Sequence, residues 1–322
     1  MATVFINGTF VDTNDSDAVN QISLFDAGFQ HGVGLFETFL ATCEGNTDQP
    51  NGAHVTVPNL NAHLSRLAQS AEELNLSKDL NTQALAEAVH QTVAKANLPK
   101  SRVRLMITGG DLNMLQRAAA GDAQAHHTPT LMIACQPATD YPAAMFENGV
   151  TVAIAKTRAN PLNAHESHKT LNYWWRLSEL QSAAAQGAAE SIVFQVTNHL
   201  AGGCVSNLFI VKNGELFTPI ARGDEELVAS IATAKEGRIA SGATVPSPVL
   251  PGITRSNVIG AAHDENIPVH RRMLTINELL DADEVFLTNA SWTVLPVVRV
   301  EGKQIGDGRV GEMTRKMRST LV

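Results

Sequence analysis

The sequence predicts an α+β protein with mixed sheets, and three observations carry that prediction. Strand patterns outnumber what a plain alternation of strands and helices would supply. Two Asn-Gly pairs, Asn7-Gly8 and Asn213-Gly214, sit between short apolar alternations, the strongest short signal for a hairpin. The stretch 136–142 (Gln-Pro-Ala-Thr-Asp-Tyr-Pro) places two prolines and polar residues between two apolar strands. It divides the 322 residues into a smaller domain (1–136), a linker (137–143) and a larger domain (144–322).

Along the chain, 3–11 reads as the first hairpin, and Gly32 and Gly34 punctuate the entry to an extended apolar segment ending near Ala41. Residues 42–54, rich in Asn, Gly, Asp and Pro, read as a loop. Leu60, Leu64, Leu67, Ala68, Ala71 and Leu74 recur at helical spacing, which predicts an amphipathic helix over 58–75, with a second over 80–96. Strands follow at 102–108 and 130–135, separated by a polar, Ala/Gly-rich stretch (109–128) without a period, which marks a functional or mobile loop. In the second half, 150–155 is a strand, an irregular crossing leads to Lys169, and a helix over 170–186 stops at Gly187. Strands at 191–196, 208–211 and 215–218, a helix over 224–239, a helix over 252–266 behind Pro251, strands at 285–287 and 294–300, and a helix over 311–321 complete the expectation.

Composition narrows the function. An apolar share of 44% and a charged share of 17% are those of a globular chain that buries a core. The net charge is −8 and the densest basic cluster is Arg271-Arg272, which argues against a nucleic-acid surface. Cys43, Cys135 and Cys204 form no CxxC pair, as expected in a reducing compartment, and offer no disulfide or metal framework. Eleven histidines include no set at zinc spacing, so no metal is expected. The N-terminus lacks a charged n-region and no apolar run reaches the roughly 20 residues a membrane span needs. A cytoplasmic protein without a membrane partner is the expectation.

Three punctuated segments carry chemistry. His168-Lys169-Thr170-Leu171-Asn172-Tyr173 puts a lysine with a basic neighbour ahead of an apolar helix. A lysine that acts as a nucleophile must lose its proton, and partial burial disfavours the ammonium form. Gly202-Gly203-Cys204-Val205-Ser206-Asn207 reads as a loop laid against a planar ring, and Pro251-Gly252-Ile253-Thr254-Arg255 as a helix start aimed at a phosphate. An imine-forming lysine, a ring platform and a phosphate site together ask for pyridoxal 5′-phosphate.

The same residues give the chain its resemblance to the fold-type IV pyridoxal-phosphate enzymes, the class IV aminotransferases. That family includes branched-chain and D-amino-acid aminotransferases and 4-amino-4-deoxychorismate lyase. The match runs in order through Gly32-x-Gly34-Leu-Phe-Glu37-Thr38, His63-Leu-x-Arg66-Leu-x-x-Ser70-Ala71, Lys169-Thr-Leu-Asn172-Tyr173, Ser206-Asn207-Leu-Phe, Gly252-Ile253-Thr254-Arg255 and Leu287-Thr288-Asn289 through Pro296-Val297. It implies a two-domain fold with the cofactor at the domain interface, a homodimer, and an amino donor and a keto acid as small-molecule partners.

The resemblance also implies roles. Lys169 condenses with the cofactor aldehyde and then moves the α-proton as acid and base. Arg66 binds the phosphate through its planar fork; Ile253 and Thr254 offer backbone N–H groups and a hydroxyl to the same anion. Tyr173 hydrogen-bonds the phenolate oxygen, Ser206 and Asn207 shape the loop under the ring, and Asn289 to Ser291 stands where further phosphate donors are expected. Phe36 and Glu37 line the substrate side, and Arg158 stands where the family has an arginine near the active site.

One departure matters. Where the family reads Glu-Gly ahead of the Ser-Asn pair, this chain reads Gly202-Gly203, so the carboxylate that pairs with the pyridine nitrogen is missing. A second lies at Gly109-Gly110, where the D-amino-acid enzymes place a carboxylate-binding arginine; Arg117, His126 or His127 could take its place. An aminotransferase with a weakened electron sink is the favoured expectation. The lyase, releasing pyruvate and 4-aminobenzoate, and a degenerate cofactor-binding homologue are the alternatives.

Overall fold

The computed structural model describes residues 2–12, 22–45, 53–111, 129–225 and 245–321. The expected helix at 224–239 and most of the 109–128 loop, with Arg117, His126 and His127, lie outside the described residues. Two compact units emerge: Met1–Thr139 with His168–Asn172, and Asp140–Ser167 with Tyr173–Val322.

In the first unit, β1 (Thr3–Ile6) and β2 (Thr9–Asp12) form the predicted hairpin, with Asn7 and Gly8 both at positive φ as its two-residue turn requires. The short helix α1 (Ala27–His31) is capped by Asp26, whose carboxylate accepts from the N–H groups of Gly28 and Phe29. Next come β3 (Gly34–Gly45), β4 (Ala53–Thr56), α2 (Leu60–Glu73), α3 (Thr82–Ala96), β5 (Lys100–Thr108) and β6 (Leu131–Pro137). Among the described residues the sheet order is β2-β1-β6-β5-β3-β4, antiparallel throughout. The loop expected at 42–54 is shorter than predicted. β3 continues to Gly45 because Phe39, Ala41 and Cys43 keep alternating into the core, and β4 returns antiparallel beside it. Leu64, Leu67 and Ala71 of α2 and Leu85, Val89 and Val93 of α3 belong to one core cluster with Phe39, Val103, Leu105 and Ile133 of the sheet.

The second unit contains α4 (Ala144–Glu147), β7 (Val150–Ala159), α5 (Trp174–Ala185), β8 (Glu190–Gln195), β9 (Leu200–Gly203), β10 (Asn207–Lys212), β11 (Glu215–Thr218), α6 (Ile253–Asp264), β12 (Val269–Arg271), α7 (Ile276–Leu280), β13 (Glu284–Asn289), β14 (Thr293–Val300), β15 (Lys303–Gln304) and α8 (Glu312–Leu321). Its sheet runs β12-β11-β10-β13-β14-β7-β8-β9, with β15 on β14, and is mixed: β7 pairs parallel with both β14 and β8. Both faces are covered, so β10 reads as a continuous apolar run. Leu208 and Ile210 face a cluster with Leu274 and Leu279, while Phe209 and Val211 face Val258 and Ala262 of α6 and Met317 of α8. Helix α5 begins at Trp174, four residues later than expected, because the chain just before it is extended. Thr275 and Glu278 form a capping box on α7 that the pattern reading passed over.

Candidate active site

Four of the predicted site residues lie in the first unit. β3 brings Phe36 and Glu37 side by side, and residues 169–171 lie along its start as an added strand. Phe36 N–H donates to Lys169 O at 2.9 Å, Leu171 N–H donates to Gly34 O at 2.9 Å, and Leu35 bridges Thr170. This pins Lys169 where its half-buried side chain holds Nζ 4.4 Å from the centroid of the Phe36 ring, a cation–π distance. Glu37 is 1% exposed, and Arg66 grips it with Nε on Oε1 at 2.8 Å and Nη2 on Oε2 at 2.6 Å, a fork-to-fork pair. His63 Nδ1 stands 2.7 Å from the same Oε2. Burial pushes the Glu37 carboxyl up, but the Arg66 charge and the His63 hydrogen bond outweigh it and hold the pKa at about 2. Both Glu37 oxygens are thus engaged by α2.

The other predicted residues lie in the second unit, most of them around one turn. Gly203 N–H donates to Ser206 O at 2.8 Å and closes a loop from the end of β9 into β10. Gly202 has φ +146°, a conformation that favours glycine, and a Cβ there would stand 2.8 Å from Ser206 O. Glu190, fully buried at the start of β8, holds this turn from behind. Its Oε1 accepts from the N–H groups of Ser191 (2.9 Å) and Cys204 (3.1 Å), and its Oε2 from Val205 N–H and Ser206 Oγ (3.1 Å each). Burial raises the Glu190 carboxyl above its ordinary pKa, against these four donors. It likewise pushes the Cys204 thiol up, aided by the Glu190 charge, so that sulfur is an unreactive thiol.

The turn is tied to the remaining candidates. Tyr173 O–H donates to Cys204 O at 3.4 Å, and Arg176 Nη1 to the same oxygen at 2.9 Å. Asn289 Nδ2 donates to Val205 O at 3.3 Å, while its Oδ1 accepts from the N–H groups of Ser291 and Trp292. Asn207 donates to Leu250 O at 2.9 Å, and its Oδ1 fills the space that a Cβ on Gly252 would need. Behind Gly252 begins α6, whose N-terminus carries Ile253 and the buried Thr254 and has no side-chain cap. Arg255 secures that start by donating to Thr218 Oγ1, Pro219 O and Asp224. Arg158 is placed apart. It is exposed, and its guanidinium donates to Ala155 O and Lys156 O of its own strand, 5.4 Å from the Phe194 ring centroid.

The Amino-transferase class IV family profile matches residues 34–300 of this chain. The chain belongs to the class IV aminotransferases. It is 29% identical over 318 residues to a putative branched-chain-amino-acid aminotransferase of Methanocaldococcus jannaschii, covering 98% of this chain and 93% of the relative. It is 26% identical over 320 residues to the D-alanine aminotransferase of Staphylococcus haemolyticus, covering 98% and 95%. Its fold is similar to the solved branched-chain amino acid aminotransferase of Escherichia coli, with TM-score 0.78, 26% identity, and 99% and 93% of the two chains covered. Class IV aminotransferases use pyridoxal phosphate, and a structural neighbour from T.th. (TM-score 0.77, 21% identity, 99% and 92% covered) is titled as holding pyridoxamine 5′-phosphate.

The residues of this aminotransferase fit such a cofactor. A helix start without a side-chain cap, reached through a glycine with no room for a Cβ, suits a phosphate. A half-buried lysine beside an aromatic ring suits an aldehyde partner. Two networks escaped the sequence reading. Glu190 is an acid inside a strand of otherwise apolar and small residues, which is a sign of a buried, satisfied carboxylate. His63, Arg66, Ser70 and Glu73 repeat at helical spacing on α2, a polar stripe inside an amphipathic pattern.

Among the described residues, no group of three or more histidine, cysteine or acidic side chains could hold a metal. None of the helices there is long and apolar enough to cross a membrane.

Proposed function

We propose that this class IV aminotransferase works with pyridoxal 5′-phosphate between a small-molecule amino donor and a keto acid, with Lys169 as its reacting amine. The placement of Lys169 carries this reading. Its backbone is clamped to Phe36 and its amine is sheltered against the Phe36 ring. Such shelter helps an ammonium group give up its proton. When bound, the cofactor supplies the electron sink for the α-carbon. The chain supplies the rest. Lys169 takes and returns the α-proton; Ile253, Thr254 and Arg66 receive the phosphate; Tyr173 meets the phenolate oxygen; and the Ser206-Asn207 turn carries the ring, with Asn289 bracing it. Phe36 borders the substrate, and Glu37 acts there through Arg66.

We further propose that the sink is weakened. Gly202 stands where a carboxylate is expected, its φ and the nearness of Ser206 O leave no room for a glutamate in this turn, and Glu190 spends both oxygens on four donors. Losing one hydrogen bond to a charged group costs about 1.5–3 kcal/mol, or about one to two powers of ten in rate. Gly202 also keeps a second reading in play, a lyase of the 4-amino-4-deoxychorismate type, whose reaction would then have to tolerate the weaker sink. A homodimer is the proposed assembly, to be checked by sedimentation.

The test is to mix the purified chain with pyridoxal 5′-phosphate, reduce with borohydride and map the fixed cofactor by peptide mass spectrometry. The label is expected on Lys169. Lys169→Ala is expected to lose it, and to lose at least about 10²–10⁴-fold in transamination, the range for one acid–base group. Label on another lysine, or unchanged turnover in Lys169→Ala, sinks the reading. An amino-donor-driven change in the visible spectrum marks a transaminase, and release of 4-aminobenzoate without it marks the lyase.

A further inference from the structure

Helix α2 carries a polar stripe, His63, Arg66, Ser70 and Glu73, at intervals of three and four residues that place all four on one face. The N-terminal half of the stripe grips Glu37, the neighbour of Phe36. Its C-terminal half grips His168, the neighbour of Lys169: Ser70 Oγ lies 3.0 Å from His168 Nδ1 and Glu73 Oε2 lies 3.6 Å from Nε2. The His168 side chain is 3% exposed. One helix face therefore holds both flanks of the Phe36–Lys169 couple. Immediately before His168, Ser167 is buried at φ +64°, a left-handed conformation that costs a non-glycine residue of order 1–3 kcal/mol.

From this arrangement we propose that His168 is a positioning residue for Lys169, resting on the reading of Lys169 given above. The lysine side chain has four rotatable bonds, so the aim of its amine depends on where its backbone is held. The 169–171 strap is fixed to β3 by backbone hydrogen bonds that any sequence could form. What selects its place along the strand is the imidazole docked between the Ser70 hydroxyl and the Glu73 carboxylate. That docking also holds the strained turn at Ser167. Without it, the turn relaxes and Lys169 shifts against the Phe36 ring. A displacement of about 1 Å at a reacting group is worth on the order of 10²-fold in rate.

The experiment uses the full chain freed of cofactor and then mixed with pyridoxal 5′-phosphate. The rate at which the visible band forms, the borohydride-fixed fraction on Lys169, and the melting temperature are measured together. His168→Leu keeps bulk and loses both polar contacts; His168→Asn keeps a polar group near Ser70; Ser70→Ala removes the Nδ1 partner alone. His168→Leu is expected to slow band formation by roughly 10-fold or more, within the misplacement range, with His168→Asn recovering most of the rate. Ser70→Ala is expected to fall between, which keeps the proposal testable if His168→Leu does not fold. Wild-type band formation in both His168→Leu and Ser70→Ala overturns the proposal, as does slowing in which His168→Asn is no better than His168→Leu. If the wild-type chain itself fixes no cofactor on Lys169, the reading of Lys169 fails instead, and the two failures are told apart.

Discussion

Glu37 in the first unit and Glu190 in the second are almost equally buried, at 1% and 0% exposure, and the chain keeps them by different means. Glu37 is met by a guanidinium and an imidazole from one helix; Glu190 is met by three backbone N–H groups and a hydroxyl. The outcomes differ in sign. Formal charge beats burial at Glu37 and lowers its pKa to about 2, whereas neutral dipoles do not offset burial at Glu190, whose carboxyl is raised. A buried acid held by charge is a fixed anchor, and suits the end of the site that holds Phe36 and Arg66. A buried acid held by dipoles is a template for backbone, and what it shapes is the turn that replaces a carboxylate with Gly202.

The largest expected effect breaks the charged side of this contrast. Arg66→Met leaves Glu37 buried with His63 as its remaining printed partner, and removing one member of a buried pair costs about 3–5 kcal/mol. Urea unfolding at neutral pH measures it. The double variant Glu37→Gln/Arg66→Met is expected to recover a good part of the loss, because no charge is then stranded. An equal loss in single and double variants would mean that packing of the Arg66 stem, not the stranded carboxylate, sets the cost.

The second expectation sharpens the contrast through pH. Glu37 has a folded pKa of about 2 against an ordinary value of 4.5, so its contribution is complete above 4.5 and drains away as pH falls toward 2. At 1.36 kcal/mol per unit its ceiling is about 3 kcal/mol. Glu190 runs the other way. Its folded pKa lies above 4.5, so its contribution is present below that pH and lost as pH rises through the folded value. Unfolding free energies of the wild type minus Glu37→Gln should therefore shrink on acidification, and those of the wild type minus Glu190→Gln should shrink on raising pH from 5 toward the folded value. Parallel slopes for the two variants would erase the distinction.

How far the sequence led differs between the two regions for the same physical reason. Strands, helices and hairpin turns were legible because periodicity and Asn-Gly pairs are local signals, and Lys169, Ser206-Asn207 and the Gly252 helix start sit in punctuated motifs. The extension of β3 to Gly45 was hidden by polar composition, although its buried residues alternate. What no local pattern could supply is partnership across long separations. Glu37 and Arg66 are 29 residues apart, Ser70 and His168 are 98 apart, and Glu190 reaches Ser206 across a strand pair. The late start of α5 has the same origin, since pairing of 169–171 with β3 overrides the helical propensity of the segment.

The smallest expected effect tests whether Glu190 depends on several donors or on one. Ser206→Ala deletes the hydroxyl at 3.1 Å and leaves the N–H groups of Ser191, Cys204 and Val205 in place. One lost hydrogen bond to a carboxyl shared among four donors is expected to cost about 1 kcal/mol, near the mean for a single bond and well below the Arg66→Met loss. The backbone bond from Gly203 N–H to Ser206 O survives the substitution, so the turn should keep its shape and a crystal or amide-exchange comparison should show it. In the background of Glu190→Gln the same change should cost less, because its partner has altered. A Ser206→Ala loss as large as that of Arg66→Met, undiminished in that background, would mean that the hydroxyl braces the turn by itself and that the carboxyl behind it is a passenger.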